Sequence, residues 1–167
     1  MKRIMYLLTF VLVLAALPTL QAQSGSGTGS FAFTLSGYTL QGQLANAIIY
    51  PDKHVSLTMS LHDNIRTSVC GVPISGVGEW SGIANAASLS GVIQDVKGTA
   101  RVCIWFFVCG NADYIGQGTW LGSLSGSQGT GTFQGTITFT SSPVSQIPVN
   151  QPIPISGTWS SVFQPVS

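Results

Sequence analysis

From residue 31 onward the chain alternates. Phe31, Phe33 and Leu35 oppose Ala32, Thr34 and Ser36; Val55, Leu57, Met59 and Leu61 oppose Ser56, Thr58 and Ser60; Phe133, Gly135, Ile137 and Phe139 oppose Thr132, Gln134, Thr136 and Thr138. A period of two puts one set on a core and the other in solvent, the pattern of a half-buried strand. After residue 22 no window carries apolar residues at i, i+3, i+4 and i+7, and glycine and β-branched residues are too frequent for helix. The chain is therefore restricted to an all-β fold.

A second regularity lies on top of the first. Val69-Cys70-Gly71, a loop, and Gly76-Val77-Gly78-Glu79-Trp80-Ser81-Gly82 are echoed by Val108-Cys109-Gly110, a loop, and Gly116-Gln117-Gly118-Thr119-Trp120-Leu121-Gly122. Ser88-Leu89-Ser90-Gly91 and Ser123-Leu124-Ser125-Gly126 follow the two copies, and Ile155-Ser156-Gly157-Thr158-Trp159 repeats the end of the motif. The duplication predicts two pseudo-symmetric halves. Glycines at strand positions mark places where a ring or another backbone approaches closely. The rival reading, a glycine-rich phosphate loop, lacks a following helix and a nearby lysine.

Turn signals at Pro51–His54, His62–Asn64, Ala84–Ala87, Asp95–Gly98 and Ser125–Gly131 divide the chain into about ten short strands. Residues 141–154 carry Pro143, Pro148, Pro152 and Pro154 and read as an extended connector able to span roughly 35–40 Å. Such a crossover favours an antiparallel β-sandwich with an internal pseudo-repeat; a closed β-barrel is the alternative. Thr99–Val108 is apolar on both faces and reads as a central strand, a partner surface or a membrane wedge, core being the preferred reading.

Met1-Lys2-Arg3, the apolar run from Ile4 to Leu17 and the exit at Gln21-Ala22 read as a secretory signal peptide, residues 1–22. A Gly/Ser leader, residues 23–30, and one β-domain, residues 31–167, follow. Beyond Ala22 the chain has four Lys/Arg against five Asp/Glu, a net charge of −1, which gives no field for a nucleic-acid backbone. No transmembrane span is expected after signal removal. In a secreted chain disulfides persist, and the equivalent places of Cys70 and Cys109 in the repeat predict a bridge between them, with Cys103 left over. Cys103 and Cys109, six apart on a straight strand, would stand roughly 20 Å from each other.

No catalytic constellation emerges. His54 and His62 flank one strand, roughly 26 Å apart if it is straight, and cannot share a metal or a substrate atom within it. No serine sits in a nucleophile elbow. Glu79, replaced by Thr119 in the second copy, has opposite parity to Trp80 and points to solvent. No cofactor or metal is expected. The residues offered as a ligand or partner surface are Trp80, Trp105, Phe107, Trp120 and Trp159. Gly-Thr-Trp at a strand start resembles avidin-type barrels over three residues, and the polar ligand-binding constellation of that family is not identifiable. The expectation is a secreted, non-catalytic structural β-protein, extracellular or at the cell surface, that assembles with copies of itself. Phe31–Leu35 or Ile155–Phe163 would be donated to a neighbour's sheet edge. The alternative is a binding module with a small apolar or carbohydrate ligand inside a Trp-lined cavity.

Overall fold

A computed structural model describes residues 27–66, 71–104 and 108–167. Eight antiparallel strands run up and down in chain order: β1 (Gly29–Leu35), β2 (Tyr38–Ile49), β3 (His54–Arg66), β4 (Gly71–Asn85), β5 (Ser88–Ile104), β6 (Val108–Ser125), β7 (Gln128–Phe139) and β8 (Pro152–Val162). Each strand pairs with the next, and β1 pairs with both β2 and β8, so the sheet closes on itself. The fold is thus a closed barrel, and the sandwich expected first is corrected. The reason lies in the proline-bearing connector. It does not cross between sheets: it leaves β7 and returns beside it, with Thr138 and Pro152 as ladder partners.

Ten expected strands become eight because apparent turns are bulges. The β5–β6 register shifts between Ile93 and Val96, around Asp95 at φ 54°. The β2–β3 register shifts between Ala45 and Ile48, around Asn46 at φ 52°. Asp and Asn tolerate the left-handed region, and one extra residue bends a strand without ending it. His62–Asn64 is no turn either, since β3 stays on its ladder with β4 as far as Arg66 and Gly71.

The repeat does not build two halves. Its copies lie on β4 and β6, and the third echo lies on β8, so it recurs once per hairpin around the wall. The two Ser-Leu-Ser-Gly segments are not equivalent. One opens β5, the other ends β6, and they face each other, with Ser88 opposite Ser123.

Inward positions combine bulky rings with glycines. One row around the inside reads Leu40, Phe33, Gly157, Phe133, Trp120, Gly91, Gly82 and Val55. An eight-stranded barrel has an interior just wide enough to be filled by side chains, and bulky residues need small ones opposite. The lower end is closed by the C-terminal segment. Phe163 is buried, its N–H donates to Ser127 O at 2.7 Å, and β9 (Gln164–Pro165) then runs parallel to β2. The upper end is covered by the connector, where Val144 and Ile147 pack on the core.

The disulfide pairing is also corrected. Cys103 is bonded to Cys109, with Cα atoms 4.0 Å apart. The straight-strand argument fails because the chain reverses between Ile104 and Val108, placing the two cysteines opposite each other on β5 and β6. Cys109 is therefore not available to Cys70. Cys70, Trp105, Phe107 and the signal peptide lie outside the described residues.

Candidate functional site

The tryptophans offered as a binding surface sit inside the barrel. Trp80, Trp120 and Trp159 are all buried. Ring centroids are 6.0 Å apart for Trp80–Trp120, 5.3 Å for Trp120–Trp159 and 5.2 Å for Trp80–Phe133. Phe31 and Phe33 extend the cluster at 6.2 and 6.3 Å from Phe133.

The glycines of the repeat explain how these rings fit. Trp120 on β6 leans across Gly91 on β5 and Gly82 on β4, and its Nε1–H donates to Ser81 O at 3.2 Å. A Cβ at Gly82 would stand 2.6 Å from Trp120 Cζ2, and one at Gly91 2.7 Å from Nε1. Trp159 on β8 does the same over Gly131 and Gly122, donating to Leu121 O at 3.1 Å. Tyr114 lies over Gly98 and Gly76 and donates its hydroxyl to Ser75 O at 3.0 Å. The rule is one aromatic donor, two glycines on the next two strands, and the carbonyl before the second glycine. Trp80 has Leu57, not glycine, beside it on β3 and donates instead to Met59 Sδ at 3.3 Å. The third copy of the motif carries Ser161 where the others carry glycine. The residue two strands on is Leu44, and no ring leans there.

The interior leaves little room. A void of about 30 Å³, lined mainly by Phe31, Phe33, Met59, Ile93, Val96 and Phe133, lies in its upper half. Pockets for drug-sized ligands are roughly ten times larger, so the cavity of the binding-module alternative has no volume behind it. Burial pushes the Tyr114 hydroxyl up to about 12. Among the described residues every buried side-chain polar atom has a hydrogen-bond partner, so none is left aimed at a ligand.

At the upper rim the wall splits. β2 and β3 stop pairing above Gly42 and Leu61. Gln41 N–H turns to Asp63 Oδ2 at 2.7 Å, and Asn64 N–H to Oδ1 at 2.7 Å. The groove there has a volume of about 600 Å³ and borders Tyr38, His62, Asp63 and Arg66. The ladders place His62, Ser75, Thr99 and Asp113 in one outward row across β3–β6. His62 and Ser75 are neighbours, but Asp113 is three strands away, about 14 Å at the usual strand spacing. Asp113 accepts from Ser141 Oγ at 2.8 Å, and the Ser75 hydroxyl meets Thr99 Oγ1 at 3.3 Å. No serine–histidine–carboxylate relay forms from this row. His54 and Glu79 are exposed. No group of three His, Cys, Asp or Glu converges to hold a metal among the described residues.

No family model, curated protein or solved structure matches this chain. The likeness to avidin-type barrels stays at three residues, and here Trp120 and Trp159 serve to fill the interior.

The outer wall is the remaining surface. Every charged residue beyond Ala22 lies between Asp52 and Asp113. The outward positions of β1, β7 and β8 are uncharged, chiefly Ser, Thr and Gln, and one row reads Thr119, Gln134, Ser156 and Thr34. A transmembrane barrel carries an apolar band outside and a polar lumen; this barrel is apolar within and mainly polar without. The signal that could have shown this was the run of sequence without Asp, Glu, Lys or Arg from Tyr114 to Ser167.

Proposed function

We propose that the chain is a secreted, non-catalytic structural β-barrel, extracellular or at the cell surface, that works through its outer wall and associates with copies of itself. The observation that carries this reading is the division of the wall: a packed, capped interior inside a surface of which one side is free of charge. An uncharged wall meets its own copy without like-charge repulsion, and a chain with little net charge associates more readily than a highly charged one. The Cys103–Cys109 bond supports an oxidising compartment. Association by strand donation loses its support. Phe31–Leu35 and Ile155–Val162 are wall strands of their own barrel, paired on both sides. Sedimentation velocity on the mature protein across a hundredfold range of concentration tests the reading. A rising sedimentation coefficient is expected, and a monomer throughout would remove it.

A second reading, an extracellular binding module, draws on a groove of about 770 Å³ on the outer wall. Thr34, Gln117, Thr119, Gln134, Thr136 and Ser156 border it. Its hydroxyls and amides carry no charge and suit a neutral carbohydrate, with Pro154 and Ile155 supplying apolar surface beside them. Titration calorimetry with neutral oligosaccharides, read against Gln134→Ala, would expose such a site.

A further inference from the structure

Near the upper rim the ladder opens between β2 and β3. Above Gly42 and Leu61 these strands have no ladder pairs with each other, although β2 stays paired with β1 up to Tyr38 and β3 with β4 up to Arg66. Each strand therefore presents one bare edge to the seam. Gln41 N–H and Asn64 N–H point into it, and backbone groups two residues apart point the same way along a strand. The main-chain groups of Thr39 on β2, and of His62 and Arg66 on β3, face the seam as well.

Asp63 fills part of that edge. Its parity is that of buried Leu61, yet its carboxylate lies in the seam and accepts Gln41 N–H and Asn64 N–H, both at 2.7 Å. It stands where the carbonyls of a neighbouring strand would stand. Unpaired edges of this kind are templates for another strand, and affinity comes from the main-chain hydrogen bonds. The groove offers about 600 Å³ of space. The β3 edge from His62 to Arg66 is roughly 14 Å long, which matches about five extended residues.

The side chains along the edge set the chemistry of the guest. His62, Asn64 and Arg66 point outward and are exposed, whereas Ile65 is half-buried and packs on the core. Tyr38, 39 % exposed, borders the groove from β2. A strand laid here sets alternate side chains beside Arg66 on the outside and beside Ile65 and Tyr38 on the inside. Asp63 is the one carboxylate on either edge, and both its oxygens already accept N–H groups.

We infer that this seam binds an extended segment of another protein as an added strand on β3, apolar on its inner face and acidic on its outer face. The carbonyls of the guest take Asn64 N–H over from Asp63, and its N–H groups donate to the β3 carbonyls. The leader residues Gln23–Ser26 of a second copy supply neither an apolar nor an acidic side chain. The seam is separate from the uncharged wall of β1, β7 and β8.

The test uses the mature, disulfide-intact protein and a blocked hexapeptide of alternating valine and glutamate, followed by amide chemical shifts. Saturable binding is expected, with the shifts centred on Thr39, His62 and Asn64. Methylating the backbone nitrogens of the peptide keeps its side chains and removes its donors, so affinity should fall about tenfold or more. Arg66→Glu should weaken binding about fivefold. Asp63→Ala, which leaves Gln41 N–H and Asn64 N–H to the guest, should tighten it severalfold. Tryptophan fluorescence confirms that each variant is folded. No saturable binding, equal binding of the methylated peptide, or shifts centred elsewhere would overturn the inference. Shifts of the same amides on concentrating the protein alone would give the edge to a second copy, and overturn it too.

Discussion

At the scale of the residue, the glycines of the repeat are spaces for rings. Gly82→Ala and Gly91→Ala would each drive a methyl group into the neighbouring strand's backbone, at Ser90 O and Ser81 O respectively, and into Trp120. Overpacking of this kind costs about 1–3 kcal/mol, so denaturant midpoints should fall for both, and fall less for Gly37→Ala. Gly37 has φ 87° but nothing within 4 Å of an added Cβ, leaving only backbone strain. Tyr114 makes a different prediction. Its hydroxyl titrates at about 12 when folded and near 10 when unfolded. Between those values the native state holds a proton that the unfolded state has lost. Stability is therefore unaffected by this group below about pH 10 and falls as pH rises towards 12, by on the order of 2 kcal/mol. Tyr114→Phe should remove that alkaline component in pH-dependent melting, while costing about 1 kcal/mol near neutrality through the lost bond to Ser75 O.

At the scale of the element, the hairpin is the unit of construction. The Cys103–Cys109 bond joins partner positions near the end of the β5–β6 hairpin. It closes a short loop, which in the chain-entropy account is worth about 2 kcal/mol, against about 4 for the long loop that a Cys70–Cys109 bond would close. Peptide mapping without reduction should recover the 103–109 link, and a peptide joining Cys70 to either residue would contradict it. The C-terminal segment is the second element with a clear role. Phe163 is 1 % exposed and packs against Trp159, with ring centroids 6.4 Å apart. Phe163→Ala should lower stability by about 3–5 kcal/mol, and a thermal melt would measure it.

At the scale of the molecule, closure makes the eight strands interdependent. A two-half architecture would allow one half to melt before the other; a single ladder that returns to its start does not. Tryptophan fluorescence and circular dichroism should therefore report one coincident unfolding transition. Closure also removes most open edges: a strand paired on both sides offers no ladder to a neighbour, and β2 and β3 lack each other as partners only above Gly42 and Leu61.

The amino-acid sequence by itself determines which side chains face inward. Alternation identifies the inward set Phe31, Phe33, Val55, Leu57 and Phe133, because side-chain parity along a strand is a local property of the pleat. It also places Glu79 outward. The absence of charge after Asp113 is written in the chain, although its consequence for one side of the wall is not. Tertiary structure alone decides whether the sheet closes, that the chain bulges at Asp95 instead of turning and bulges again at Asn46, and which cysteines meet. Each of these depends on register between strands, and register is set by contacts among residues far apart in sequence. Trp120 needs glycines at 82 and 91, and Trp159 needs them at 122 and 131. The repeat displays those residues, but only the closed ladder shows which ring rests on which pair.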